Sequence, residues 1–179
     1  GLAKSVLILV PPSLMYQWQE ELQEKFELDF IKQKDDKRFQ DPSSHELLIM
    51  SHASAVVPDK SNMLKKRNWD MVIVDEAHSM KNSNTQKHRL LKALPRKFTL
   101  FLTATPIENN LQELYNLVEL LKPGTFGTFS QFKNRYANDP QFRSINSFFK
   151  DELQNILSKI IIRTTRHQVK TKIKFTDRI

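Results

Sequence analysis

The residues best suited to chemistry sit together at Asp75-Glu76-Ala77-His78, directly after the apolar run Met71 to Val74. Adjacent carboxylates at a strand tip suit nucleotide hydrolysis. One can hold Mg²⁺, largely through water because that ion dehydrates reluctantly, while the other orients or deprotonates an attacking water. An Asp-Glu pair can equally be satisfied by backbone amides or a nearby lysine, so the pair alone does not decide. The four-residue string says more, since average residue usage would produce it in a chain of 179 residues on the order of once in a thousand. His78 lies too close to the two carboxylates to form the i, i+4 histidine pair of a metallohydrolase helix, and no HExxH occurs. Its better role is a hydrogen bond between the nucleotide site and a neighbouring loop.

Two further polar clusters follow apolar runs, Pro11-Pro12-Ser13 and Thr103-Ala104-Thr105-Pro106. Thr103 and Thr105 offer hydroxyls to a contact with His78, or cap the turn or helix that follows. If the three runs are parallel strands, all three clusters share one sheet edge. Ligands of open α/β sheets bind outside the carboxyl ends of the strands, so the clusters would surround one crevice.

The elements that must position them are legible as alternating patterns. Ser5 to Val10, Glu46 to Met50, Met71 to Val74 and Phe98 to Leu102 have the length and β-branched content of buried parallel strands. Leu14, Trp18, Leu22 and Phe26 recur at helical spacing with Ser13 as the expected N-cap, which predicts a helix over 13–26. Leu111, Leu114, Tyr115, Val118 and Leu121 form one face of a second helix from Asn109 to Leu121, ended by Pro123-Gly124. Strands alternating with helices imply a doubly wound, mostly parallel α/β sheet with helices on both faces. Residues 1–126 are assigned to this lobe. Residues 127–179 read as a helical C-terminal appendage, with helices near Ser130 to Tyr136 and Ser144 to Ser158 and a return strand at Ile160 to Ile162.

Composition narrows the class. No apolar run reaches the 18 or so residues of a membrane span, and the first residues do not read as a secretory leader. The absence of cysteine excludes disulfides and thiolate zinc sites, so an intracellular setting is expected. The net charge of +8 favours polyanions such as nucleic acid, although lysine-rich helices can also be merely solvated.

Longer stretches resemble a known family, the superfamily-two helicase-like ATPases, and specifically their Swi/Snf-type branch, of bacterial kind. VLILVPPSLMYQWQEEL (Val6 to Leu22) is similar to motif Ia, LLIMSHASAV (Leu47 to Val56) to motif Ib, and WDMVIVDEAHSMKN (Trp69 to Asn82) to motif II with its DEAH box. LTATPIENNLQELYNLVELLKPGTFG (Leu102 to Gly127) resembles motif III and the helix beyond, and IIRTTRHQV (Ile161 to Val169) the arginine-rich element that closes the first lobe. DEAH followed by TAT also occurs in RNA helicases; the motif Ia start and the long motif III run point to the Swi/Snf-type motors. The resemblance implies a RecA-like first lobe, ATP with Mg²⁺, double-stranded DNA as partner, a second RecA-like lobe in the parent chain, and translocation without necessarily separating strands. Asp75 would hold magnesium and Glu76 activate water. His78, Thr103 and Thr105 would couple nucleotide state to DNA grip. Ser13, Ser51, His52, Lys81, Asn82, Arg163 and Arg166 would face the DNA backbone, where contacts give affinity and register rather than sequence reading.

Departures from the family pattern are Ala104 where many relatives have glycine, no tyrosine near His52, and Thr164 where a second arginine is common. Arg163 and Arg166 can also be read as a basic solvated turn. The three glycines, Gly1, Gly124 and Gly127, supply no GxxxxGK[ST] turn to cradle phosphates. The expectation is therefore a piece of a longer ATPase, inactive by itself. The alternatives are a lobe that binds DNA or a partner without turnover, and the motor part of a restriction or repair nuclease. RNA polymerase, a nucleosome-like complex or another DNA-bound protein would be the remodelled target. The setting would be the nucleoid in a bacterial cytoplasm or the nucleus in a eukaryote.

Overall fold

Every strand of the sheet runs the same way, because its neighbours are reached through crossovers rather than hairpins. The structure, a computed structural model, describes residues 3–34, 36–104, 110–139, 141 and 144–162. Strands β1 (Val6–Val10), β2 (Ile31–Lys32), β3 (Leu47–Ser51), β4 (Trp69–Val74) and β5 (Arg96–Phe101) form one parallel sheet in the order β2-β3-β1-β4-β5. Helix α1 (Met15–Phe26) links β1 to β2, α2 (His52–Ala55) and α3 (Pro58–Lys65) link β3 to β4, and α4 (Gln86–Ala93) links β4 to β5. Three helices follow: α5 (Leu111–Leu121), α6 (Phe129–Tyr136) and α7 (Lys150–Ser158). Among the described residues no helix is long and apolar enough to cross a membrane.

Alternation along β1 distributes its side chains between two cores. Val6, Ile8 and Val10 join Met15, Phe30 and Ile49 beneath Trp18 and Leu22 of α1. Leu7 and Leu9 join Leu48, Met50, Leu64, Trp69, Val72, Val74, Leu90 and Leu91 on the opposite face. With both faces covered, β1 is buried at all five positions, which is why it reads as an unbroken apolar run. Each such aliphatic side chain contributes about 1.5–3 kcal/mol on full burial.

β5 is different. The register pairs Phe98 with Met71 and Leu100 with Ile73, so both lie on the α1 face, where they remain 55% and 45% exposed. The expectation of a buried strand there holds for one face only, since Phe101 packs on the other. Ser13 is not the N-cap of α1: Pro12–Leu14 forms a 3-10 turn, and Leu14 occupies the cap position with no side-chain bond.

Helix α5 joins the sheet to the appendage. Asn110 caps it, its side chain accepting from the amides of Gln112 and Glu113 at 2.9 and 3.3 Å. Leu117 and Leu120 face the sheet core. Leu111, Leu114 and Val118 enter a smaller core with Phe126, Phe132, Tyr136 and Leu153. Ile160–Ile162 do not form the expected return strand. The amides of Ile160 and Ile161 donate to Leu157 O at 2.9 and 2.8 Å, extending the end of α7, and Ile160 packs against the smaller core.

Arg96 closes the seam between these layers. Its guanidinium donates to the carbonyls of Leu91, Leu94 and Leu120, the last two at 3.0 and 2.7 Å, satisfying the C-terminal ends of α4 and α5 together. Arg96→Met should therefore lower the unfolding free energy by about 2–4 kcal/mol by taking the guanidinium donor from the Leu94 and Leu120 carbonyls. Asn110→Ala, the loss of one cap, should cost about 1 kcal/mol. Urea denaturation of the two variants checks the order as well as the size.

Candidate active site

The C-terminal ends of β1, β3, β4 and β5 lie along one sheet edge, so the segments after them converge there as the sequence implies. The DEAH segment is held at this edge from both sides. The Asp75 amide donates to Leu9 O at 2.9 Å, extending the β1 ladder one residue past β4. From the β5 side, Leu102 N donates to Val74 O at 2.9 Å and Ala77 N to Leu102 O at 3.0 Å. Between these anchors Glu76 takes the left-handed conformation, φ 48° and ψ 48°, an uncommon one for a residue with a side chain. The turn ends the strand sharply and begins the 3-10 turn Ala77–Met80.

Among the described residues each Asp75 oxygen accepts one N–H. Oδ1 takes the Glu76 amide at 2.8 Å and Oδ2 the Trp18 indole at 2.9 Å. Asp75 also borders a hollow of about 330 Å³ with Leu14, Trp18 and Leu22 of the α1 side. Glu76 Oε2 lies 3.0 Å from His78 Nδ1, with the two side chains 37% and 48% exposed. The water-facing carboxylate is thus Glu76, steadied by His78, whereas the half-buried one is Asp75.

Carboxylate oxygens with one N–H each keep lone pairs for a hydrated cation. Among the described residues no group of three His, Cys, Asp or Glu gathers as a metal cage. This donor set fits Mg²⁺, which takes one or two carboxylates and draws its other ligands from water and phosphate oxygens. Asp75 is the residue that would hold it.

The remaining candidates separate into three groups. Ser13, Lys81, Asn82 and Thr103 are exposed around this edge. Lys81 is paired with Glu113 at 3.0 Å, its carbonyl accepts from Asn116 Nδ2 at 2.9 Å, and Asn82 Oδ1 accepts from the Asn84 amide at 2.9 Å. The tail of the DEAH segment is thereby tied to α5, a link that sequence spacing did not reveal. Thr105, Arg163 and Arg166 lie outside the described residues. Ser51 and His52 are corrected. Ser51 is buried and caps α2, its hydroxyl accepting from Ser54 N at 3.1 Å, and His52 is only 5% exposed, so neither presents a surface to DNA. Both sit at the end of β3, where the first turn of α2 folds back over the sheet. Trp18, which helical periodicity reads as core, also reaches this edge through its indole bond to Asp75 Oδ2. A clue was available, since a half-buried indole N–H seeks an acceptor.

His52 has an electrostatic signature of its own. Burial lowers its pKa below the ordinary 6.5; main-chain groups of Leu9 and Asp75 and the Asp75 charge favour the protonated ring, and the Lys87 charge opposes it. Among the described residues its Nε2 has no hydrogen-bond partner. Because the folded ring resists a proton that the unfolded chain accepts, stability is fully present above the unfolded pKa and is lost as pH falls below it. The slope is at most about 1.4 kcal/mol per pH unit for this one group. The urea midpoint should therefore fall between roughly pH 7.5 and 5.5, and His52→Phe should flatten that fall.

Comparison with known proteins places this geometry. A model of the SNF2-related domain matches residues 1–177. A Bacillus subtilis (strain 168) protein described as the uncharacterized ATP-dependent helicase YqhH is 38% identical over 93% of this chain and 29% of its own length. The human DNA annealing helicase and endonuclease ZRANB3 is 31% identical over 94% of this chain and 17% of its own. The Sulfolobus solfataricus SWI2/SNF2 ATPase core, solved in complex with double-stranded DNA, superposes with a TM-score of 0.78 at 29% identity, covering 93% of this chain and 35% of that one. The chain thus spans about a third or less of each of these proteins.

Proposed function

The chain belongs to the SNF2-related domain family and has the fold of its RecA-like ATPase core, and from that premise we propose that it is part of the first motor lobe of an ATP-dependent translocase of double-stranded DNA. The observation that carries the reading is the Asp75-Glu76 pair, held by main-chain bonds at the carboxyl edge of a parallel sheet. Asp75 is oriented by two N–H donors for a hydrated Mg²⁺. Bound with ATP, that ion would neutralise charge on the phosphate oxygens. Glu76 faces solvent from the turn and is placed to orient and deprotonate the attacking water, with His78 Nδ1 3.0 Å from its carboxylate to fix its rotamer. His78, with Thr103 and Thr105, would couple nucleotide state to DNA grip. Through Lys81, Glu113 and Asn116 the same segment is joined to α5, a route by which nucleotide state reaches the DNA-facing surface.

Duplex DNA is the proposed polyanion. The net charge of +8 supports sequence-independent phosphate contacts, with Ser13, Lys81, Asn82, Arg163 and Arg166 as the contacting residues. Ser51 and His52 support the edge from within. The parent protein would act with a second RecA-like lobe on a DNA-bound protein complex such as RNA polymerase, in the nucleoid or the nucleus.

In the full-length protein, Glu76→Gln should lower duplex-stimulated ATP turnover by about 100-fold or more while ATP binding persists. Duplex DNA should stimulate the unaltered enzyme more than single-stranded DNA or RNA. Full turnover by Glu76→Gln would remove the catalytic assignment, and equal stimulation by RNA would remove the duplex assignment. The 179-residue chain alone should show negligible turnover, because its three glycines provide no phosphate-cradling turn.

A further inference from the structure

Fifty-seven residues separate Trp18 from Asp75, yet the indole Nε1–H donates to Asp75 Oδ2 at 2.9 Å. The other oxygen, Oδ1, is taken by the Glu76 amide at 2.8 Å. One donor on each oxygen prevents the carboxylate from rotating and leaves its free lone pairs in a set direction. The indole suits this task because it donates without accepting, so the only partner it can take from the carboxylate is an oxygen lone pair. Its ring is itself fixed, packed with Leu14 and Leu22 against Val6, Ile8 and Val10. The second tryptophan, Trp69, is fully buried and donates to Leu64 O at 3.1 Å, a bond within the core. Two tryptophans of similar chemistry thus hold different posts.

We propose that Trp18 is a positioning residue for Asp75, holding the carboxylate in the orientation that receives hydrated Mg²⁺. This rests on the reading of Asp75 as the magnesium-holding group. Removing the donor while keeping the ring should weaken the grip on the ion rather than the chemistry that follows. Loss of an outer-shell partner commonly costs about 10–100-fold in metal affinity or activity.

The test uses the full-length protein with Trp18→Phe and Asp75→Asn, assayed for duplex-stimulated ATP turnover across Mg²⁺ concentrations. Trp18→Phe should raise the Mg²⁺ concentration for half-maximal rate by about tenfold or more, with kcat at saturating Mg²⁺ changed by less than about threefold. In protein labelled with 5-fluorotryptophan, the ¹⁹F lines that vanish in Trp18→Phe and Trp69→Phe identify the two residues. The Trp18 line should shift in Asp75→Asn and on addition of Mg²⁺, while the Trp69 line stays. The proposal is overturned by an unchanged Mg²⁺ dependence in Trp18→Phe, by a fall in kcat without a change in Mg²⁺ dependence, or by a Trp18 line indifferent to Asp75→Asn. Wild-type Mg²⁺ dependence and turnover in Asp75→Asn would instead sink the underlying reading of the site.

Discussion

The architecture turns on the position of β4 between β1 and β5. Main-chain bonds from both neighbours continue past its last residue: Asp75 N to Leu9 O, Leu102 N to Val74 O and Ala77 N to Leu102 O. A polar segment at the end of an apolar strand would ordinarily fray into solvent. Here three backbone bonds hold it, and the left-handed Glu76 sits between them. The two carboxylates therefore owe their placement to the register of the sheet. Any change that slipped β4 by one residue would exchange its faces and carry the acidic pair away from the edge.

That register is in turn held by burial on both faces. The α1 side and the α3–α4–α5 side each take alternate residues of β1 and β4, so neither strand can shift without exposing a row of aliphatic side chains. Helix α5 extends the same logic to the appendage, giving Leu117 and Leu120 to one core and Leu111, Leu114 and Val118 to another. Arg96 binds carbonyls of both α4 and α5, so the β5 strand carries a fastening for the layer behind it. The appendage and the edge that carries the DEAH segment are mechanically continuous through α5, because Asn116 and Glu113 reach Lys81 from the same helix that packs on the smaller core.

The face that α1 covers is only partly closed. Phe98 and Leu100 stand exposed beside Met71 and Ile73, and Asp75 opens onto the hollow next to Trp18. The open part of the sheet and the open side of the site are thus on the same face as the indole that steadies Asp75. Polar chemistry and exposed apolar surface meet there, whereas the opposite face is covered by residues of α3, α4 and α5.

Much of this was legible from local pattern. Four of the five strands announce themselves as short apolar runs, since burial on both faces demands it, and the acidic pair follows one of them directly. The parallel class and the shared edge follow from alternation of strands with helices. What escaped were short or polar elements such as β2, α2, α3 and α4, whose few buried residues produce little periodicity. By itself the sequence determined which residues carry charge and at which strand ends they emerge, because side-chain type and apolar spacing are local properties. Only tertiary structure decided that Ser51 and His52 turn inward, that Ile160 and Ile161 close the turn after a helix, and that Trp18 meets Asp75. These depend on how far one element packs over another, and a contact made across 57 residues has no period to betray it.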